Sequence, residues 1–163
     1  MPHKTLTLVL ITKPNEVLLG YKKRGFGSYK WNGFGGKVEE NESIREAAIR
    51  ELKEESGLVV SPNNLEQVGI INFEFVGDPI ILEVHVFTSA IYDGQPFETE
   101  EMIPKWFKLQ DIPFHEMWAD DRLWFPLLLS GKKFQGYFLF QGHDVILKHA
   151  LNIVENFCNL ATE

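Results

Sequence analysis

Three glutamates in one stretch of the chain, Glu51, Glu54 and Glu55, are spaced so that they can act together. If the segment is helical, spacings of three and four place their side chains on one face. Carboxylate oxygens are hard ligands, and a group of them suits a divalent cation such as Mg²⁺ or Mn²⁺. Such a cation commonly shares substrate phosphate oxygens, and a remaining carboxylate can act as a general base. The spacing therefore indicates metal-assisted chemistry on a phosphorylated substrate.

The segment that carries the glutamates has the pattern of a glycine-rich turn followed by a helix. Ser43 and Glu46 have the spacing of a capping box, so the helix is predicted to begin at Ser43, and Gly57 is placed to end it. At roughly 100° per residue, the three glutamates fall over the apolar side around Ala47 and Ala48. Burying neighbouring carboxylates is costly, so we expect a positive charge beside them. A solvated helix with ordinary charge pairs is the plainer interpretation.

The composition limits the classes of protein that the chain can represent. Its 163 residues are enough for one domain with a sizeable core, and we expect a single domain over residues 1–163. An apolar content of 44% and an aromatic content of 13% favour a globular protein. The net charge of −7 argues against binding a nucleic-acid polymer, although it permits a nucleotide held through a metal ion.

Membrane and redox signals favour a soluble intracellular protein. The apolar run Leu6–Ile11 is too short to span a bilayer and has no signal-peptide pattern after it. One cysteine, Cys158, cannot form an internal disulfide, which agrees with a reducing compartment. We expect a monomer without membrane contacts, in the cytosol by default, with mitochondrial or nuclear pools as alternatives.

Strand-like segments predominate in the middle of the chain, and helical segments flank them. Strands are predicted over Leu6–Ile11, Val17–Tyr21, Val68–Val76, Ile80–Ile91, Lys105–Leu109 and Phe134–Phe140. The two runs around Gly77-Asp78-Pro79 have the pattern of a hairpin. Besides the glutamate helix, helices are predicted over Leu123–Leu129 and Asp144–Phe157. This order indicates an α/β or α+β sandwich.

The residues around the glutamates also match a known pattern. Gly36 is followed after five residues by Glu42, and after seven more by Arg50-Glu51-Leu52, then Glu54-Glu55 and Gly57-Leu58. This spacing resembles the Nudix box at every fixed position. The resemblance implies an α/β/α sandwich with a mixed β-sheet. It also implies a magnesium-dependent hydrolase of nucleoside diphosphates linked to another group.

Carried over by position, the resemblance assigns roles around the metal. It implies these metal ligands or metal-adjacent groups: Gly36 through its carbonyl, Glu51, Glu54, Glu55 and Glu101. Either Glu54 or Glu55 is a candidate for the general base, because the family does not use one fixed base. Arg50 is implied to pair with the glutamates and orient them.

Motifs outside the box resemble one branch of this family, the animal hydrolases of oxidised purine nucleoside triphosphates. These motifs are KKRGFG, KWNGFGGKV, FEFVG, VHVF, MWADD, LWFPLLL, GYF and FQGHD, and they span nearly the whole chain. The resemblance implies that substrates such as 8-oxo-dGTP and 2-hydroxy-dATP are cleaved to a monophosphate and pyrophosphate. Leu82 departs from the methionine that is familiar in this branch, which bears on the ranking of substrates rather than on the reaction.

The same resemblance implies a substrate pocket. Its members are Asn32, Trp118, Asp120 and Asp121 around the base, Phe26, Phe73, Phe75 and Leu82 in the apolar walls, and Thr7, Leu8 and Lys22 near the base, sugar or phosphates. Physical chemistry supports the set, because purines stack on aromatic rings and asparagine offers both a donor and an acceptor. Two adjacent aspartates do not ionise easily together, so exchange of one proton would admit more than one oxidised purine.

Plainer interpretations of these residues stay open. Asp120 and Asp121 could cap the following helix, and Trp118 could be an ordinary core residue. His85, in an apolar strand, is predicted to be a hydrogen-bonded core histidine rather than a ligand.

Two rival functions also remain. One is a Nudix enzyme for a methylated purine triphosphate, a dinucleoside polyphosphate or a capped nucleotide. The other is a non-catalytic member that binds a nucleotide or a protein.

Overall fold

A computed structural model describes residues 2–157, which form a mixed β-sheet with a helix on each face. The strands are β1 (His3–Lys13), β2 (Glu16–Lys22), β3 (Trp31–Asn32), β4 (Glu66–Phe75), β5 (Ile81–Ser89), β6 (Met102–Lys108), β7 (Lys133–Gln141) and β8 (Val145–Val154). The α-helices are α1 (Ile44–Ser56) and α2 (Asp121–Leu129), and short 3₁₀ turns cover Pro62–Asn64, Leu109–Asp111 and Phe114–Glu116. The sandwich predicted from the sequence is confirmed.

The strand order is β3-β2-β1-β5-β4-β7-β8. The strand β6 is not part of this order and pairs with β2. The predicted hairpin β4–β5 is antiparallel, and so is the pair β1–β2, as expected for strands joined by short turns. Two parallel pairs, β1–β5 and β4–β7, complete the centre of the sheet. Strands distant in sequence therefore lie side by side below the candidate site.

Alternation along β1 divides the core into two layers. Val9 points to the layer beneath α1, where it joins Leu52, whereas Leu10 points to the opposite layer beneath α2. In that second layer Phe125 of α2 packs with Phe134 of β7, and all of these side chains are fully buried. Burial of an aromatic or aliphatic side chain contributes roughly 1.5–3 kcal/mol, so both helices are held mainly by their apolar faces.

The predicted start and end of α1 are confirmed. The Ser43 hydroxyl accepts from the Glu46 N–H at 3.0 Å, and the Glu46 carboxylate accepts from the Ser43 N–H at 2.8 Å. Gly57 has a left-handed φ of 84°, and its N–H donates to the Lys53 carbonyl at 2.9 Å. These caps fix the helix register, and with it the direction of each glutamate.

The predicted helix over Asp144–Phe157 is wrong, because β8 occupies most of that segment. This strand pairs with β7 from Lys133 to Gln141, and the register shifts between Leu139 and Phe140. A bulge interrupts the two-residue alternation of a strand, so the apolar residues acquire a spacing that resembles a helix. Cys158 lies outside the described residues. Within residues 2–157, no helix is long and apolar enough to cross a membrane.

Candidate active site

Glu55 is the buried member of the glutamate group, with 7% of its surface exposed. Its Oε1 accepts a hydrogen bond of 2.9 Å from the backbone N–H of Gly35. Burial raises the pKa of Glu55 to about 7, although the Gly35 N–H and the charge of Lys22 oppose this rise. In the metal-free protein, this carboxyl group can hold or release a proton near neutral pH.

Arg50 links the remaining glutamates. Its Nη1 lies 2.8 Å from Oε1 of Glu51 and 3.2 Å from Oε2 of Glu54, while Nε and Nη2 contact both oxygens of Glu42 at 2.6 and 2.9 Å. Arg50 thus places a positive charge beside Glu51 and Glu54. The prediction that all three glutamates follow the buried side is wrong for Glu54, whose side chain is 59% exposed.

The glycine turn leaves space for the Glu51 carboxylate. A Cβ at Gly36 would lie 2.6 Å from Cδ of Glu51 and under 3 Å from both carboxylate oxygens, so only glycine fits without displacing that side chain. The Gly36 carbonyl accepts from the Thr7 N–H at 2.8 Å, which anchors the turn to β1. The Oε1 atom of Glu101 accepts a hydrogen bond of 2.6 Å from Nη2 of Arg24. The negative charge of Glu101 contributes to the raised pKa of Glu55.

The donor set suits a hard divalent cation. Among residues 2–157, no three acidic, histidine or cysteine side chains already enclose a point that a metal ion would occupy. The carboxylates of Glu51 and Glu55 nevertheless both contact the glycine turn, and Arg50 holds oxygens of Glu51 and Glu54. Oxygen donors of this kind, beside a turn with no side chain, fit magnesium or manganese rather than a softer metal.

A cavity of about 270 Å³ extends from this turn toward α2. It is lined by every residue predicted to bind substrate: Thr7, Leu8, Lys22, Phe26, Asn32, Phe73, Phe75, Leu82, Trp118, Asp120 and Asp121. Gly36 and Glu55 line the same space, so one cavity joins two of the candidate metal ligands to the aromatic and acidic end. Arg50, Glu51, Glu54 and Glu101 stand outside the lining.

The two aspartates form a buried acid pair, each with 2% of its surface exposed. Oδ2 of Asp120 accepts from Nε1–H of Trp124 at 2.7 Å, whereas Oδ1 of Asp120 and Oδ2 of Asp121 are buried and accept no hydrogen bond from the described residues. Burial raises the pKa of Asp120 to about 6, and burial together with the Asp120 charge raises that of Asp121 well above its usual range. Ionising both carboxyl groups together is therefore unfavourable.

The capping interpretation of the acid pair is wrong, because Asp120 makes no side-chain cap bond to α2. Trp118 was predicted either to belong to the core or to line a substrate pocket, and it does both, since it packs in the core beneath α2 and also lines the cavity. The Phe26 ring stacks on it with centroids 5.4 Å apart and an interplanar angle of 26°. Asn32 is oriented by its neighbour, because its Oδ1 accepts from the Gly33 N–H at 2.8 Å.

His85 is a satisfied core residue, as predicted. Its two ring nitrogens lie 2.8 Å from Nε2 of Gln67 and 2.7 Å from Oε1 of Glu83. Sequence reasoning missed eight residues that line the cavity: Leu6, Gly27, Gly33, Gly35, Ile71, Val84, Met102 and Trp124. The spacing of four from Asp120 offered a signal for Trp124 on a helix, whereas nothing local marks Met102.

A capped helix that carries the glutamates, a glycine turn against the first strand and a mixed sheet between two helices define the class of protein. The chain belongs to the Nudix family, since the family model of the NUDIX domain matches residues 1–128.

Curated relatives are similar over almost the whole chain. The "Oxidized purine nucleoside triphosphate hydrolase" of Danio rerio is 58% identical over 94% of this chain and 97% of its own length. The protein of the same name from Mus musculus is 56% identical over 93% of this chain and 96% of its own. Among solved structures, a mutator MutT protein from Bacillus halodurans superposes with a TM-score of 0.80 at 27% identity, covering 91% of this chain and 97% of the other.

Proposed function

We propose that this chain hydrolyses oxidised purine nucleoside triphosphates to a nucleoside monophosphate and pyrophosphate. The observation that carries the proposal is a single cavity. It is lined at one end by Trp118 and the buried acid pair and at the other by Glu55 at the glycine turn. Two relatives with more than half of their residues identical bear the name of such a hydrolase. Removal of damaged purines from the nucleotide pool would be the consequence for the cell.

The metal in this proposal is Mg²⁺, with Mn²⁺ as an alternative. Glu51, Glu54 and Glu55 would hold it together with the Gly36 carbonyl, and Glu101 would lie nearby. When bound, such an ion polarises a phosphoryl group and lowers the pKa of a coordinated water.

The chain's own residues would position the phosphates and move the proton. Arg50 fixes the directions of Glu51 and Glu54 through the contacts described above. Glu54 or Glu55 would accept the proton of the attacking water, and the raised pKa of Glu55 suits that role near neutral pH. Lys22, which lines the cavity beside Glu55, would contact the sugar or phosphates.

At the other end, the acid pair would recognise the base. Asp120 and Asp121 would share a proton, so that one oxygen donates while another accepts. Moving that proton would accommodate both guanine-like and adenine-like oxidised bases. Asn32 would contact the base edge, and Trp118 would stack on its face.

The decisive experiment is pyrophosphate release with Mg²⁺ from 8-oxo-dGTP, 2-hydroxy-dATP, an N6-methylated dATP and the four normal deoxynucleotides. We expect a strong preference for the oxidised purines that is lost in Glu55→Gln. Preference for the methylated purine, or equal turnover of all, would replace this substrate class with another Nudix substrate. Metal-independent binding without turnover would indicate a non-catalytic member. We propose further that the chain acts as a monomer in the cytosol.

A further inference from the structure

Two loops of the chain meet over Trp118. One joins β2 to β3 and carries Phe26, and the other joins β7 to β8 and carries His143. The ring centroid of Trp118 lies 5.4 Å from that of Phe26 and 5.0 Å from that of His143. The Phe26 and His143 rings also contact each other, with centroids 5.1 Å apart. The stacking tryptophan is therefore covered by rings from two distant parts of the sequence.

An ion pair joins the same two loops. Nζ of Lys30 donates to Oδ1 of Asp144 at 3.1 Å, across a sequence separation of 114 residues. The Lys30 side chain is 19% exposed, whereas that of Asp144 is 81% exposed. The Lys30 ammonium also lies 5.6 Å from the centroid of the Trp118 ring, within the range of a cation–π contact. Lys30 thus stands between the turn of β7–β8 and the stacking ring.

The β2–β3 loop contains glycines, so the ion pair between Lys30 and Asp144 can restrict its backbone. Gly25 and Gly27 adopt left-handed φ values of 81° and 79°, and a Cβ at Gly27 would lie 3.2 Å from Nε1 of Trp118. Glycines allow this close path, and they offer the backbone more alternative conformations than other residues do. A polar contact to a neighbouring segment restricts those alternatives and keeps Phe26 over the tryptophan.

We propose that Lys30 and Asp144 are positioning residues whose ion pair holds the two loops over Trp118 and so tightens binding of the purine base. Among the described residues that line the cavity, neither Lys30 nor Asp144 is found, so the pair acts through Phe26, His143 and Trp118. This inference rests on the proposed function for its substrate, although not for the contact itself. Burial raises the pKa of Asp121 and the charge of Lys30 opposes that rise, so Asp144 is the cleaner position to change.

The kinetic test uses Asp144→Asn with 8-oxo-dGTP. We expect KM to rise about two- to fivefold while kcat stays within about twofold, because an ion pair with an exposed partner contributes modestly. Asp144→Glu, which keeps the carboxylate, should retain most of the wild-type KM. Asp111→Asn makes the same chemical change at an exposed position after β6 and serves as the matched control. An unchanged KM in Asp144→Asn, or a fall in kcat alone, would overturn the proposal.

A second measurement needs no substrate, so it separates this inference from the proposed function. Protein labelled with 5-fluorotryptophan gives a ¹⁹F signal for Trp118, assigned through Trp118→Phe. In ligand-free Asp144→Asn this signal should shift or broaden, while that of Trp106, on β6, stays as in wild type. An unaltered Trp118 signal would reject the contact between the loops. If the wild-type protein is inactive on oxidised purines, the proposed function is rejected. The ¹⁹F measurement alone then decides whether the ion pair holds the two loops over Trp118.

Discussion

The backbone N–H of Gly35 donates a 2.9 Å hydrogen bond to Oε1 of Glu55, which fixes a buried carboxylate at the edge of the cavity. This contact orients the carboxyl group of Glu55 without supplying a positive charge to neutralise it. The carboxylate is thus left in an unfavourable environment that a divalent cation or a proton can relieve. The predictions below test this environment and the acid pair at the other end of the cavity.

Glu55→Gln should lower kcat by at least about 100-fold, because the amide can neither accept a proton nor bind a metal ion as a carboxylate does. Its carbonyl oxygen can still accept from Gly35, so the fold should be retained. Steady-state pyrophosphate release measures the loss, and circular dichroism checks the fold. Glu66→Gln, at an exposed position on β4, is the control. Turnover near the wild-type rate would remove Glu55 from the reaction.

The buried acid pair should make the protein less stable as pH rises. A carboxyl group whose pKa is higher in the folded than in the unfolded state contributes its full stability below the unfolded value and loses it as pH rises through the folded value. Burial raises the pKa of both Asp120 and Asp121 in the folded protein, so the two groups act in the same direction.

Urea denaturation of the metal-free protein at pH 5 and pH 8 measures this effect. Relative to the double variant Asp120→Asn/Asp121→Asn, the wild-type protein should be more stable at pH 5 than at pH 8. Since other titrating groups are common to both proteins, their contributions cancel in the comparison. An equal difference at the two pH values would mean that the pair is ionised throughout.

Selectivity among oxidised bases should depend on the same two residues. Asp121→Asn fixes one donor and one acceptor where the acid pair can exchange a proton, so the ratio of kcat/KM for 8-oxo-dGTP over 2-hydroxy-dATP should change by about tenfold. Asp120→Asn should also change the ratio, and the exposed Asp111→Asn should not. If both pocket variants keep the wild-type ratio, proton exchange does not explain a broad choice of substrates.

Local features of the sequence predicted caps and turns more completely than the pairing of strands. The caps of α1, the glycine turn and the β4–β5 hairpin follow from neighbouring residues, and the structure has them where expected. The parallel pairs β1–β5 and β4–β7 join strands distant in sequence, so no local pattern specifies them. The strand β8 was mistaken for a helix because its bulge disturbs the alternation on which the distinction depends.

Burial of individual side chains was the other limit of the sequence. Helical periodicity places Glu51, Glu54 and Glu55 on one side of α1. Only tertiary packing decides that Glu55 is buried while Glu54 is exposed to solvent. Likewise, adjacent aspartates before a helix suggest a cap. The bond from Trp124 and the missing cap bond reveal a buried pair instead.

Two neighbouring glycines should respond differently to alanine. A Cβ at Gly35 would lie 1.8 Å from the carbonyl oxygen of Thr7, which belongs to β1 and cannot move easily. Gly35→Ala should therefore cost about 3 kcal/mol or more of unfolding free energy. At Gly36 the nearest atoms belong to the flexible carboxylate of Glu51, so Gly36→Ala should cost less than about 1 kcal/mol.

Displacement of Glu51 should instead weaken metal binding by Gly36→Ala about tenfold. Urea denaturation and calorimetric titration with Mg²⁺ separate the two effects. Similar losses of stability in both variants would show that Glu51 cannot yield as its position suggests.

Arg50→Lys tests whether geometry or charge alone organises the glutamates. The guanidinium contacts both oxygens of Glu42 and, through Nη1, also Glu51 at 2.8 Å. An ammonium is a point charge that cannot hold these carboxylates in fixed directions together. We expect kcat to fall about 10- to 100-fold in Arg50→Lys, with less than about a twofold change in KM. Arg45→Lys is the control, because the guanidinium of Arg45 contacts the Pro62 carbonyl away from the cavity.

A double-mutant cycle with Glu42→Gln identifies the route of this effect. If Glu42 fixes the plane of the guanidinium, Glu42→Gln should lower kcat in the wild-type background and change it little once Arg50 is lysine. Losses that multiply independently would mean that Arg50 acts on Glu51 and Glu54 without help from Glu42. A kcat for Arg50→Lys within twofold of wild type would mean that a positive charge suffices, and that the forked contacts do not orient the glutamates.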